Sequence, residues 1–467
     1  MRKSNESRGF RMNETIICGE KIEGLLQKGQ NQSKEKRLEI IQKARSLKGL
    51  TLEEAATLLY ISEMDELGLL YEIADEVKRE IYGDRVVMFA PLYTSNECTN
   101  NCLYCGFRAE NDQLARKTLK TNEIIAEAQE IVNQGHKRLL LVCGEDKTKT
   151  SLQHTIDAIN AIYGQTGIKR INVNTAPMAV AEFRELKKAN IGTYQIFQET
   201  YHRKTYQDMH PTGSKSDYDY RLTALDRAIE AGIDDFGIGV LLGLHDYKFD
   251  VLASLMHADY LDTTYNIGPH TVSIPRLKPA LGSALDEVPY SVSDDDLKKI
   301  VAIYRLALPY TGIILSTRES DTLRDELLKL GVSQMSAGSK TNPGGYETVM
   351  TSGNQFETSD CRTVDAMVQT ICEKGYLPSF CTACYREDRT GEHFMELAKG
   401  GHIHTFCQPN SIFTFQEYIE DFAPQELKAD YQEIVNREIE KIDNDPLKKL
   451  TKERVDQIKN GERDLYL

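Results

Sequence analysis

The chain has 467 residues and a formal net charge of −14 at pH 7, with 57 Lys and Arg against 71 Asp and Glu. That balance argues against a nucleic-acid partner, which needs a basic face, and no apolar run approaches the roughly 18 residues of a membrane span. The first residues, MRKSNESRGFRMNETIICGE, carry positive charge but no apolar h-region, so no signal peptide is read and the expected compartment is the cytoplasm.

Residues 35–82 have helical spacing, with Thr51 and Glu54 forming a capping-box pattern ahead of LEEAATLLY. After Gly83 the texture changes. Short β-branched runs begin at 86, 138, 171, 193, 235, 271, 312 and 334, and amphipathic stretches separate them. One such stretch is 121–134, with Thr121 as N-cap and Gly135 as stop. Another opens at Ser293 with Asp294, Asp295 and Asp296 in its first turn, which suits the helix dipole. Eight strands alternating with helices over some 260 residues predict an α/β fold, a (β/α)8 TIM-type barrel. A six-stranded partial barrel or a doubly wound sheet is the alternative. The alternation stops near 345, where NPGGYETVMTSGN leads into a tail with its own cysteines and a charged helical end. The expected division is an N-terminal helical region (1–85), the barrel (86–345) and a C-terminal domain (346–467).

Ten cysteines in a reducing compartment point to metal or redox chemistry before disulfides. Cys98, Cys102 and Cys105 lie in one loop, NECTNNCLYCGF, just past the first strand. Three thiolates on so short a loop can hold three irons of a cubane and leave the fourth open to an exogenous chelate. Cys381, Cys384 and Cys407 form a second set in the tail. They fit either a second cubane or a zinc site completed by His393, His402 or His404. Cys18, Cys361 and Cys372 read as buried small residues.

The first loop resembles that of the radical S-adenosylmethionine (SAM) superfamily. The resemblance implies a [4Fe–4S] cluster on Cys98, Cys102 and Cys105, with SAM on the open iron yielding a 5′-deoxyadenosyl radical. It implies that Tyr104 lies beside the adenine. Gly144 and Glu145 would receive the SAM amino group, in a motif where Cys143 replaces a glycine. Glu199 would bind ribose, and Arg221 the SAM carboxylate. The stretches QETYHRKTYQDMHPTGSKSDYDYRL and GIGVLLGL resemble those of the tyrosine lyases of this superfamily. The C-x2-C-x22-C spacing of the tail resembles the [FeFe]-hydrogenase maturase branch rather than the thiamine branch, 2-iminoacetate synthase. That resemblance implies a second [4Fe–4S] cluster on Cys381, Cys384 and Cys407. His270 would bind an additional iron, bridged by a free amino acid. Arg318 would grip the substrate carboxylate, with Ser336 in the same pocket. The implied partners are L-tyrosine, a reductant such as ferredoxin or flavodoxin, and other hydrogenase maturation proteins, with no nucleic acid and no membrane. The resemblance implies cleavage of the tyrosine Cα–Cβ bond to p-cresol and dehydroglycine, and conversion of dehydroglycine to carbon monoxide and cyanide at the second cluster; an enzyme that stops at dehydroglycine, as in thiamine biosynthesis, and a non-catalytic metal-binding scaffold are the competing readings.

Overall fold

Aliphatic and β-branched residues concentrate in eight short runs, and in the computed structural model these are the staves of a closed barrel. The structure describes residues 16–347 and 353–467. The N-terminal segment read for a leader, and residues 348–352 of the Gly/Ser/Thr-rich stretch, lie outside them. The strands are β1 (Arg85–Ser95), β2 (Arg138–Cys143), β3 (Arg170–Asn174), β4 (Tyr194–Gln195), β5 (Phe236–Gly239), β6 (Thr271–Ser273), β7 (Gly312–Leu315) and β8 (Gln334–Ser336). All pair in parallel and in chain order, and β1 closes the ring between β8 and β2. The register sets Phe89 opposite Ser336, Tyr93 opposite Val142 and Arg138 opposite Arg170. Helices between the strands cover the outside, as parallel connections require.

The structure also departs from the sequence reading. The first described helix is Gly19–Gln30, before the region read as helical, and the Thr51–Glu54 capping box is present. Thr121 is the first helical residue rather than the cap: Lys120 precedes it, and the Lys120 N–H donates to Glu123. A ninth strand, β9 (Leu377–Ser379), appears where no further strand is expected. It runs parallel to the first residues of β1, pairing Val87 with Ser379. This pairing carries the tail to the N-terminal end of the barrel. Pro378 is tolerated because β9 sits at a sheet edge. Cys372 is buried as expected, Cys18 is half-buried, and Cys361 is exposed, lying just outside the buried Asp360.

Candidate functional site

In parallel barrels ligands gather where the strands end, because the loops there face one another across the mouth. The loop after β1 carries Cys98, Cys102 and Cys105. All three line one cavity together with Tyr104, Gly144, Glu145, Glu199, Arg221, Arg318 and Ser336. Nearly every residue singled out for the first reaction centre therefore meets in one place. Gly144 explains part of the assembly. A Cβ there would lie 2.1 Å from the Glu97 carbonyl oxygen, so only glycine lets the cysteine loop pack on the end of β2. Thr99 secures the contact by donating its N–H and hydroxyl to the Glu145 carbonyl, at 3.0 and 2.9 Å.

The charges of this cavity pair among themselves. Arg221 donates to Glu145 at 3.1 Å and Asn100 donates to the other Glu145 oxygen at 2.7 Å. Lys215 donates to Glu199 at 2.6 Å, and Arg221 lies 3.9 Å from the same carboxylate. Burial pushes both carboxyls up, but Arg221 and Lys215 outweigh it and hold them below their usual range. Glu199 lies beyond β4 rather than within it, at φ 69°, a left-handed conformation rare for a residue with a side chain. Burial pushes the Cys98 thiol up to about 11, with Glu145 and Cys105 adding to it, and raises Cys102 and Cys105 too. Thiols so held surrender their protons to a metal rather than to water. The Phe107 N–H points at Cys105 Sγ, 3.4 Å away, as a donor suited to a cluster ligand.

Sequence reasoning missed Lys215, Asn100 and His210. His210 Nδ1 lies 2.7 Å from the Tyr206 carbonyl and so carries the proton there. Its Nε2 accepts the Tyr104 hydroxyl at 2.9 Å and fixes that ring. No spacing rule marks these residues, because they reach the site through folded loops. Arg318 stands apart from the paired charges. Its guanidinium lies 3.4 Å from the centre of the Phe356 ring and has no hydrogen-bond or carboxylate partner among the described residues. Burial pulls its pKa down. Such a group is competent to take a carboxylate.

The second set of cysteines lies at the opposite end. Cys381 and Cys384 follow β9, and Cys407 lies in the helix His404–Asp421. They line a small chamber with Arg85, Val87, Arg138, His270, Gln334, Tyr385, Phe394 and Ser411. Arg85, Arg138 and Gln334 begin β1, β2 and β8, and His270 precedes β6, so this is the N-terminal mouth. The length of β1 separates the two ends by roughly 30 Å. His393, His402 and His404 do not line the chamber; His270 does. Its imidazole lies between Phe394, 4.2 Å away, and Tyr385, 6.1 Å away, and both rings are nearly parallel to it. Nδ1 meets Asp235 at 2.8 Å, leaving Nε2 as the free nitrogen. A hydrogen bond with Cys407 holds the Cys384 thiol below its usual range. Among the described residues no three His, Cys, Asp or Glu are gathered as for a single ion. The donor sets at both ends fit iron–sulfur clusters with one open position.

Between the ends, the upper cavity reaches down to Phe89, Gln195 and Ser273, and the lower chamber reaches up to Val87 and Gln334. On β1 and on β8 one inward-facing step separates them. A TIM barrel usually fills this space with branched side chains. Here Gly237 and Gly312 face Thr271 and Gln334 so closely that a Cβ would collide with each.

Comparison with known proteins agrees with this geometry. Residues 92–257 match the family model of the radical SAM superfamily, and residues 273–377 match that of the Biotin and Thiamin Synthesis associated domain. The 2-iminoacetate synthase of Escherichia coli is 34% identical over 340 residues, covering 72% of this chain and 89% of that protein. The chain belongs to the radical SAM superfamily. Within it, a crystal structure of HydG, a maturase of the [FeFe]-hydrogenase, is 49% identical with a TM-score of 0.94, covering 97% of this chain and 100% of that one. HydG from Carboxydothermus hydrogenoformans is 43% identical with a TM-score of 0.83, covering 94% and 97%. This radical SAM chain therefore has the eight-stranded barrel of its relatives, and membership implies a [4Fe–4S] cluster and SAM. No described helix is long and apolar enough to cross a membrane.

Proposed function

We propose that this radical SAM enzyme is a tyrosine lyase of the hydrogenase-maturase kind. It cleaves the Cα–Cβ bond of free L-tyrosine to p-cresol and dehydroglycine at the upper site. At the lower site it turns dehydroglycine into carbon monoxide and cyanide for H-cluster assembly. The observation that carries this reading is the second three-cysteine chamber, with His270, at the far mouth of the same barrel. An enzyme that stops at dehydroglycine has no need of it. The full-length likeness to HydG points the same way.

When bound on Cys98, Cys102 and Cys105, the cluster with SAM supplies a radical that takes a hydrogen atom from the substrate. The chain's own residues do the rest. SAM presents an ammonium and a carboxylate together. The Glu145–Arg221 pair can open to receive both, Glu145, oriented by the Asn100 amide, taking the ammonium and Arg221 the carboxylate. Glu199, held by Lys215, takes the ribose, and Tyr104, fixed by His210, faces the adenine. Arg318 binds the tyrosine carboxylate through its planar fork, with Ser336 beside it. Tyr93, Phe107 and Phe356 wall the pocket and exclude water, which protects reactive intermediates.

At the lower site Cys381, Cys384 and Cys407 would hold a second [4Fe–4S] cluster, and the tail from 346 is its domain. His270 offers Nε2 to an additional iron, which a free amino acid would bridge. When bound, these irons supply a Lewis acid for breakdown of the two-carbon product. Ferredoxin or flavodoxin supplies electrons, and other maturation proteins receive the product. The division of labour is tested with Cys384→Ser. It should still form p-cresol and lose most carbon monoxide. Loss of both in equal proportion by a folded variant, or zinc in the tail, overturns the reading.

A further inference from the structure

Arginines at an enclosed site normally meet carboxylates; among the described residues two at the lower mouth, the half-buried Arg85 and the buried Arg138, do not. Arg85 opens β1 and lines the chamber of Cys381, Cys384, Cys407 and His270. Its guanidinium has no hydrogen bond and no ion pair among the described residues; it lies 4.6 Å from the Tyr82 ring and faces Cys381, Cys384 and Cys407. Its Nε is buried without a partner. Arg138 opens β2 and lines the same chamber, 6% exposed. One Nη of Arg138 donates to the Cys381 carbonyl at 2.6 Å, and its Nε is also buried without a partner. Behind Tyr385 stands Arg170, 4.5 Å from that ring, whose bonds go to the carbonyls of Asn190 and Ile191 and the side chain of Asn190. Among the described residues the acid that faces this group is Asp235, and it is engaged with His270.

An oxidised cubane on three thiolates carries one net negative charge. With Asp235, two negative charges face Arg85, Arg138 and Arg170, and Arg389, whose Nη donates to the Leu467 carbonyl, also acts on Cys384, so positive charge is in excess. A buried charge without a counter-ion is costly, and an additional iron would enlarge the imbalance. Both spare Nε–H donors belong to residues that open neighbouring strands and line one chamber. A guanidinium with free donors suits a carboxylate, which can accept two parallel bonds.

We propose that Arg85 and Arg138 form a carboxylate-binding site in the lower chamber, for a two-carbon imino or oxo acid. The inference rests on the two-site reading above and specifies what the lower site holds. The product of tyrosine cleavage is such an acid. A carboxylate anchor there would keep it beside the open iron position, with its reactive carbon turned toward Cys384 and His270.

The test uses anaerobically reconstituted holoenzyme with SAM and L-tyrosine present and no reductant, so that Arg318 is occupied and no turnover occurs. Radiolabelled glyoxylate serves as a stable two-carbon probe in equilibrium dialysis. One molecule should bind per chain, and Arg85→Gln and Arg138→Gln should each weaken binding about tenfold or more. Iron content and the paramagnetic signals of both clusters are recorded in each variant. If Arg85→Gln fails to load its cluster, Arg85→Lys decides, since it keeps the charge and removes the fork; weakened binding with a loaded cluster supports the site. Wild-type affinity in the loaded variants overturns it. So does a shifted midpoint potential of the tail cluster with unchanged glyoxylate affinity, because the arginines would then balance cluster charge alone. Wild-type enzyme that binds glyoxylate but makes no carbon monoxide from tyrosine would overturn the maturase reading and leave the anion site standing.

Discussion

The two mouths of the barrel solve the burial of charge in opposite ways. At the upper mouth Glu145, Arg221, Glu199 and Lys215 neutralise one another within the cavity. Such a site stays stable when empty and exchanges its internal pairs for a ligand that carries both signs, as SAM does. At the lower mouth Arg85 and Arg138 face cysteines, and among the described residues they pair with no carboxylate. Because an uncompensated buried charge costs several kcal/mol, that end depends on what it binds. One mouth is built to exchange its ligand, the other to retain one.

The largest effects should come from the loop at the upper mouth. Cys98→Ala, Cys102→Ala or Cys105→Ala should abolish 5′-deoxyadenosine and p-cresol formation and lower the iron content by about four per chain, the tail set remaining. A variant that still cleaves SAM at the normal rate would remove this loop from the chemistry. Next in size is Arg318→Ala, which should cost on the order of 2–5 kcal/mol in tyrosine affinity, because the substrate carboxylate is left buried and unpaired. Arg318→Lys should be impaired as well, since an ammonium cannot reproduce the fork. Unchanged tyrosine affinity in Arg318→Ala would leave the upper mouth without its carboxylate anchor.

Much of this contrast is legible in the sequence at the level of types and spacing. The eight β-branched runs become eight strands, because burial on both faces demands continuous apolar residues. The first cysteine loop, Glu145, Glu199 and Arg318 lie at or just beyond strand ends, and Arg221 reaches the same cavity from the helix Tyr218–Leu222. What the sequence hides is long-range pairing. Lys215 is one lysine among many until its loop folds onto Glu199. Asp235 looks like an ordinary turn acid before β5 until it meets His270. β9 is three residues long and contains Pro378, so neither length nor propensity marks it. Its pairing with β1 nevertheless decides which mouth the tail occupies. Arg85 and Arg138 read as strand-edge cations, and only their place beside the tail cysteines, with no paired acid among the described residues, gives them meaning.

A smaller effect should separate a ligand from its support at the lower mouth. His270→Ala should lose the additional iron while sparing p-cresol. Asp235→Asn should keep that iron but weaken its binding by about 10–100-fold, because the Asp235 carboxylate stands 2.8 Å from Nδ1 and leaves Nε2 for the metal. Iron titration followed by electron paramagnetic resonance reads both. Equal loss in the two variants would make Asp235 as essential as the ligand itself. No loss in either would detach His270 from the iron.

The smallest effect on catalysis concerns a carboxyl that braces the upper mouth. Asp250, in the helix Tyr247–Tyr265, is fully buried. Its Oδ1 accepts the Tyr201 N–H at 2.7 Å and the Thr200 hydroxyl at 2.9 Å, while Oδ2 has no partner. These bonds hold the two residues that follow Glu199, where the backbone turns left-handed. Burial pushes the Asp250 pKa up to about 7, against the bonds from Tyr201 and Thr200, which lower it. In the unfolded chain it lies near ~4. Between those values the unfolded state releases a proton that the folded state keeps. The stability associated with this group is therefore complete below about pH 4 and lost as pH rises through about 7, at a little over ~1 kcal/mol per pH unit at most. Asp250→Asn keeps an acceptor for Tyr201 and cannot ionise, so its stability should be flatter across the same window. Denaturation of loaded enzyme at pH 5, 6, 7 and 8 measures both slopes. Equal slopes in the two proteins would assign the pH dependence to another group and leave the brace a matter of hydrogen bonding alone.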